Sequence, residues 1–223
     1  KMVLPRFLEV HVGEIELWSE GLGNPGHPPS LLVMGANASG MIWPDEFLAM
    51  LVAGGRYVIR YDHRDTGRST CRDFQHRPYG LTDLAQDALA VLDGHGIARA
   101  HVFGMSMGGS IGQILAIEHR ERLLTLTVTM TAALDVDFVG NVGRALRGEA
   151  TLDGLPLPDP VALAASARHA EPLADRDAEV ARRVAQWRAL AGDGLPFVEQ
   201  ECRRLEERAI EHAGTLCQPT AHA

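Results

Sequence analysis

The pentapeptide Gly104-Met105-Ser106-Met107-Gly108 places a serine between glycines at the spacing G-x-S-x-G. A serine hydroxyl held on so tight a turn can attack an acyl carbon, provided a base takes its proton and amide N–H groups hold the oxyanion that forms. The setting supports that chemistry. The string directly follows the apolar run His101 to Phe103 and directly opens the amphipathic stretch Gly109 to His119, so strand, turn and helix succeed one another. The glycines answer a steric need: side chains there would collide with the neighbouring strand and helix, and the serine itself must adopt a strained backbone. The N-terminus of the following helix adds a positive field beneath the oxyanion. A serine that merely caps the helix is the competing reading.

An oxyanion hole needs two backbone donors, and Met107, next after the serine, is expected to supply one. Ala36 is expected to supply the other, from Met34-Gly35-Ala36-Asn37, where a small residue after glycine lets the backbone turn toward the acyl carbon; an ordinary strand-ending turn is the alternative. A base is also required. Of ten histidines, His101 and His119 flank the serine's strand and helix and read as structural, while His212 and His222 lie at the end of the helical cap block and are disfavoured as the base. Asp135, just after the sixth strand candidate, is the candidate acid, and Asn37, Met41, Trp43 and Trp187 are expected pocket walls. The polar run from Asp62 to Ser69 precedes the nucleophile, whereas acid and histidine are expected after it, so Asp62 and His63 read as parts of a loop held by Asp–Arg pairing.

The elements that must position these residues follow from periodicity. Arg6 to Val12 and Glu14 to Ser19 alternate apolar and polar residues around Gly13, as a half-buried antiparallel hairpin does. Unbroken apolar runs at Leu31 to Met34 and Tyr57 to Tyr61 predict inner parallel strands. Helix-period segments separate the strands at Pro44 to Ala53 and Leu81 to Leu92, and Leu124 to Met130 predicts a further strand. Strand and helix thus alternate in the doubly wound manner. After about Asp135 only helical segments follow: 137–148, 161–170, 178–191 and 199–213. The expected division is a core over 1–134 and a helical cap over 135–223.

Composition narrows the function classes. The 223 residues are 46% hydrophobic and 22% charged, as in packed globular domains. A formal charge of −8 without Lys/Arg clusters disfavours nucleic acid. Three widely spaced cysteines suggest neither a disulfide framework nor a metal site. With no leader and no long apolar run, a cytoplasmic protein without a membrane partner is expected. No metal or cofactor is expected; the partner is a small-molecule ester, and self-association into a homo-oligomer stays open.

Val33-Met34-Gly35, Tyr61 to Ser69 and Gly104 to Gly108, with Leu152 to Pro156 and Glu206 to Ile210, give the chain a resemblance that spans nearly its whole length. It resembles the α/β-hydrolase superfamily and, within it, the aclacinomycin methylesterase group. The resemblance implies an α/β-hydrolase fold, a mostly parallel sheet with a cap, and cofactor-free hydrolysis of a polyketide methyl ester through a serine acyl-enzyme. Two positions depart from the usual pattern: Met34 stands where His precedes Gly, and Asp65 where Gly follows Asp-x-Arg. Other acyl chemistry on this fold (lactonase, perhydrolase or amidase), or a catalytically incomplete fragment, remains a rival. Because nothing after Glu199 reads as a strand, the C-terminal strands and helices, with the catalytic histidine and the acid, are expected beyond Ala223.

Overall fold

A computed structural model describes residues 6–151, 154–156, 172–192, 194, 196–217 and 219–222. Six strands, β1 (Arg6–Val12), β2 (Ile15–Leu22), β3 (Pro29–Val33), β4 (Tyr57–Tyr61), β5 (Ala100–Met105) and β6 (Leu123–Thr129), form one sheet in the order β1-β2-β4-β3-β5-β6. β2 pairs antiparallel with both β1 and β4, while β3, β4, β5 and β6 run parallel. The expected mostly parallel α/β architecture is what forms.

Helices cover both faces. On one side α2 (Leu81–Gly94) and α3 (Met107–Glu118) bury Leu84, Ala88, Leu92, Ile111 and Leu115 against Leu17, Leu31, Ile59 and Val102. On the other, α1 (Asp45–Ala53) packs Leu48 against Leu32 and Val58. Such parallel strands read as continuous apolar runs because neither face meets water; all five residues of β4 are buried.

The hairpin departs from expectation at β2. A half-buried alternation is predicted, yet Trp18, Ser19, Glu20 and Gly21 are all buried. Because β2 lies between β1 and β4, its polar residues face partners: Ser19 Oγ is 3.0 Å from His95 Nε2, and Glu20 pairs with Arg60 at 2.6 Å.

Past β6 come α4 (Phe138–Arg147), α5 (Arg176–Ala191) and α6 (Glu199–Ala213), close to three of the four expected helices; the fourth, at 161–170, falls outside the described residues. Asp137 caps α4 by accepting from the Gly140 N–H, and Asp175 caps α5 from Asp177 and Ala178. α6 lies against the loops that leave the carboxyl ends of β3 and β4. Ala209 packs beside Ile42 and Trp43, while Arg208 donates to the Met41 and Trp43 carbonyls and pairs with Asp45.

Candidate active site

β5 ends at Met105 and α3 begins at Met107, leaving Ser106 alone on the turn with φ 53° and ψ −122°. For a residue with a Cβ this is strained backbone, costing roughly 1–3 kcal/mol. The turn is held from both sides: the Ser106 N–H donates to the Thr129 carbonyl at 2.9 Å, and the Ser106 carbonyl accepts from Gly109 at 2.8 Å. The side chain is exposed and makes no capping bond to α3, which removes the main support for a mere helix cap.

The flanking glycines are sterically required. A Cβ on Gly104 would stand 2.2 Å from the Gly108 carbonyl oxygen, and one on Gly108 would stand 2.1 Å from the Val33 oxygen. α3 therefore starts directly against the end of β3. Gly35 faces Ser106 from the other side, where a Cβ would make ordinary contact, 3.4 Å from Ser106 Cβ and 3.9 Å from Oγ. Among the described residues, neither the Ala36 nor the Met107 N–H bonds to a protein acceptor, so both amides that sequence spacing singles out are available as donors.

The loop after β4 is held by an Asp–Arg pair and by carboxylates on backbone N–H groups. The Asp62 carboxylate accepts from the N–H of Gly40 (2.8 Å), the N–H of Arg68 (2.9 Å) and His212 Nε2 (2.6 Å). Asp65 takes the Arg72 N–H and the Tyr79 hydroxyl. Arg64 turns outward to a two-point pair with Asp87 on α2, at 2.7 and 2.6 Å. In this way short carboxylates satisfy buried backbone donors, and the long arginine ties the loop to a helix. Asp62 and His63 bond groups within and beside the loop, and the Arg64–Asp87 pair is the Asp–Arg contact that holds it. His63 is fully buried, with Nε2 donating to the Met34 carbonyl at 2.9 Å, and burial lowers its pKa.

Neither C-terminal histidine bonds Ser106 Oγ among the described residues. His212 holds Asp62 and stands edge-on to Trp18, ring centroids 4.4 Å apart. His222 Nδ1 accepts the Asn37 N–H at 3.1 Å, its own N–H reaches Asn37 Oδ1 at 2.9 Å, and its Nε2 donates to the Arg64 carbonyl. Burial pushes its pKa down to about 3, so the ring is neutral and can accept. His101 bridges Arg56 and Thr125 and His119 meets Gln86, as structural histidines do. Asp135 is exposed in the loop between β6 and α4.

A cavity of about 160 Å³ opens between the 37–42 loop, the 65–71 loop and α6. Asn37 lines it, together with Ile42, Asp65, Arg183, Glu206 and Ala209. Met41, Trp43 and Trp187, the other expected wall residues, do not line this cavity, nor does Ser106. Trp43 is buried among Phe47 and Phe103, at 5.7 and 5.6 Å between ring centroids. Met41 offers α6 its carbonyl, and Trp187 Nε1 donates to Glu206 at 2.5 Å. The structure adds residues that spacing did not mark, Arg208 and Trp18 among them: each meets its partner across well over a hundred positions of sequence.

The family model for the alpha/beta hydrolase fold matches residues 28–156. Rhodomycin D methylesterase DnrP of Streptomyces peucetius is 52% identical over 209 residues, which is 94% of this chain and 70% of that protein. Among solved structures, Est816, described as an N-acyl homoserine lactone degrading enzyme, aligns with 26% identity and a TM-score of 0.51 over 71% of this chain and 51% of its own. The chain thus spans about half of that structure. A thioesterase domain from the curacin biosynthetic pathway, 18% identical, has a TM-score of 0.63 over 92% of this chain and 68% of its own, a likeness of fold.

Proposed function

The chain belongs to the alpha/beta hydrolase fold family and is a hydrolase, and from that premise we propose that it cleaves carboxylic esters with Ser106 as nucleophile. The observation that carries the reading is the Ser106 turn: strained backbone, an exposed hydroxyl free of any capping duty, and flanking Gly104 and Gly108 that leave no room for a Cβ. Backbone strain of this kind gathers at active sites, where the surrounding structure holds it in place.

The mechanism that follows is acyl transfer. Ser106 Oγ gives its proton to a general base and attacks the ester carbonyl, and the tetrahedral oxyanion is held by the amides of Ala36 and Met107. The alcohol then leaves, and water releases the acid from the acyl-enzyme. The methylesterase relative supports a methyl ester as the reacting group and a polyketide acid as the body of the substrate. Residues 1–134 act as the core and 135–223 as the cap, with the substrate body entering from the side of Asn37, where the cavity lies. Three free thiols, Cys71, Cys202 and Cys217, agree with a cytoplasmic setting.

Treatment with a fluorophosphonate, followed by peptide mapping, tests the nucleophile. The adduct is expected on Ser106, and Ser106→Ala is expected to abolish both the adduct and p-nitrophenyl ester hydrolysis while the protein stays folded. An adduct on another serine, or turnover retained by Ser106→Ala, overturns the reading.

A further inference from the structure

We propose that His63 is a positioning residue for the oxyanion loop: its Nε2–H fixes the Met34 carbonyl and thereby aims the Gly35–Ala36 backbone at Ser106. The inference rests on the serine-hydrolase reading and names a residue that reading does not use.

Met34 ends the apolar run of β3, and its carbonyl oxygen is enclosed by two elements. On one side lies the start of α3, where a Cβ on Gly108 would come within 2.6 Å of it. From the other side His63 Nε2 approaches to 2.9 Å. Parallel pairing explains the reach: Leu32 sits opposite Arg60, so the residues just past each strand end are neighbours. The carbonyl belongs to the peptide unit that contains the Gly35 N–H, and fixing one planar peptide fixes the direction in which the next begins. That next unit carries the Ala36 N–H, and Gly35 is the residue that faces Ser106.

A carbonyl only accepts, so Nε2 carries the hydrogen, and burial lowers the pKa of the ring, favouring its neutral form. Nδ1 is then an acceptor, and it is buried without any partner among the described residues. Among the described residues, the bond from Nε2 to Met34 is therefore the ring's hydrogen bond. Beyond the loop, Asn37 is pinned through its N–H and its side-chain oxygen, so Gly35 and Ala36 are suspended between two held ends.

The test uses the full chain with Leu, Gln and Asn at position 63. His63→Leu removes the donor, His63→Gln restores an N–H at the reach of Nε2, and His63→Asn carries the same amide one methylene short. With p-nitrophenyl acetate, misaiming the loop is expected to lower kcat by about 10- to 100-fold in the Leu and Asn variants with KM little changed. The Gln variant is expected to return to within about threefold of wild type, the residual loss reflecting only a small misplacement. Amide exchange across residues 34–37 is read in parallel and should quicken with Leu and Asn and recover with Gln. If Leu does not fold, the Gln and Asn pair carries the comparison. Wild-type kcat in a folded Leu or Asn variant, or exchange across 34–37 that is the same in all variants, overturns the proposal. Should the wild-type protein show no fluorophosphonate adduct at Ser106, the nucleophile reading fails by itself, and the exchange data still decide whether His63 holds the loop.

Discussion

His212 Nε2 lies 2.6 Å from Asp62 Oδ2, joining the last turn of α6 to the loop after β4 across 150 positions of sequence. Both side chains are nearly inaccessible, at 5% and 0%. The same carboxylate accepts two backbone N–H groups, and Arg68 returns a bond to the His212 carbonyl at 2.9 Å. Asp62 is therefore the point at which three chain segments meet. Asp62→Asn keeps the shape but turns one acceptor into a donor that faces N–H groups, and leaving those buried donors without an acceptor is expected to cost about 1–3 kcal/mol. His212→Ala leaves the two backbone donors in place and should cost less. Denaturant titration of both variants checks the order; equal midpoints would remove Asp62 from this role.

Strain at Ser106 predicts a stability gain on its removal. Ser106→Gly adopts φ 53° without a Cβ penalty, so this variant should be more stable than wild type by roughly 1 kcal/mol. Thermal unfolding compared with Ser106→Ala isolates the backbone contribution, because both variants lack the hydroxyl. A Gly variant no more stable than the Ala variant would mean that the turn is not strained.

Packing at the elbow leaves no room for a methyl group. In Gly108→Ala the new Cβ would meet the Val33 and Met34 oxygens at 2.1 and 2.6 Å, both parts of the backbone that cannot step aside alone. The expected outcome is destabilisation of about 1–3 kcal/mol from overpacking, with esterase activity falling further than the folded fraction because the Met34–Gly35 peptide is displaced. Activity per folded molecule equal to wild type would contradict the coupling between α3 and the oxyanion loop.

Acid should weaken the fold through His95. Burial lowers its pKa to about 4 from 6.5, and its two nitrogens meet Ser19 and Tyr57. In the unfolded chain the imidazole protonates below about 6.5, whereas in the folded protein it resists until about 4. Proton uptake between these values therefore favours unfolding. Stability contributed above pH 6.5 is lost as pH falls toward 4, with a ceiling of about 3 kcal/mol from this group. His222, held neutral down to about 3, steepens the same slope. His95→Gln should flatten the pH dependence of the unfolding midpoint; an unchanged slope would place the acid sensitivity elsewhere.

Features that depend on near neighbours in the chain could be read from the residues alone. The glycine spacing around Ser106, the apolar runs of β3 and β4, and the helical period of α1, α2 and α3 each show through a window of a few residues, because sterics and burial act locally on the backbone. The strand-turn-helix around Ser106 was legible for that reason. Only the tertiary structure decided what lies across the sheet. The burial of both faces of β2, the three donors on Asp62, the pairing of Arg64 with Asp87 and the grip of His63 on Met34 all depend on β4 lying between β2 and β3. That order is set by how apolar faces of distant segments fit together, and no local pattern carries it. Of the expected pocket walls, Asn37 could be anticipated from its neighbourhood to Ala36; Trp43 could not be told from a core residue, since a large ring reads the same on either side of a helix until its packing partners are known.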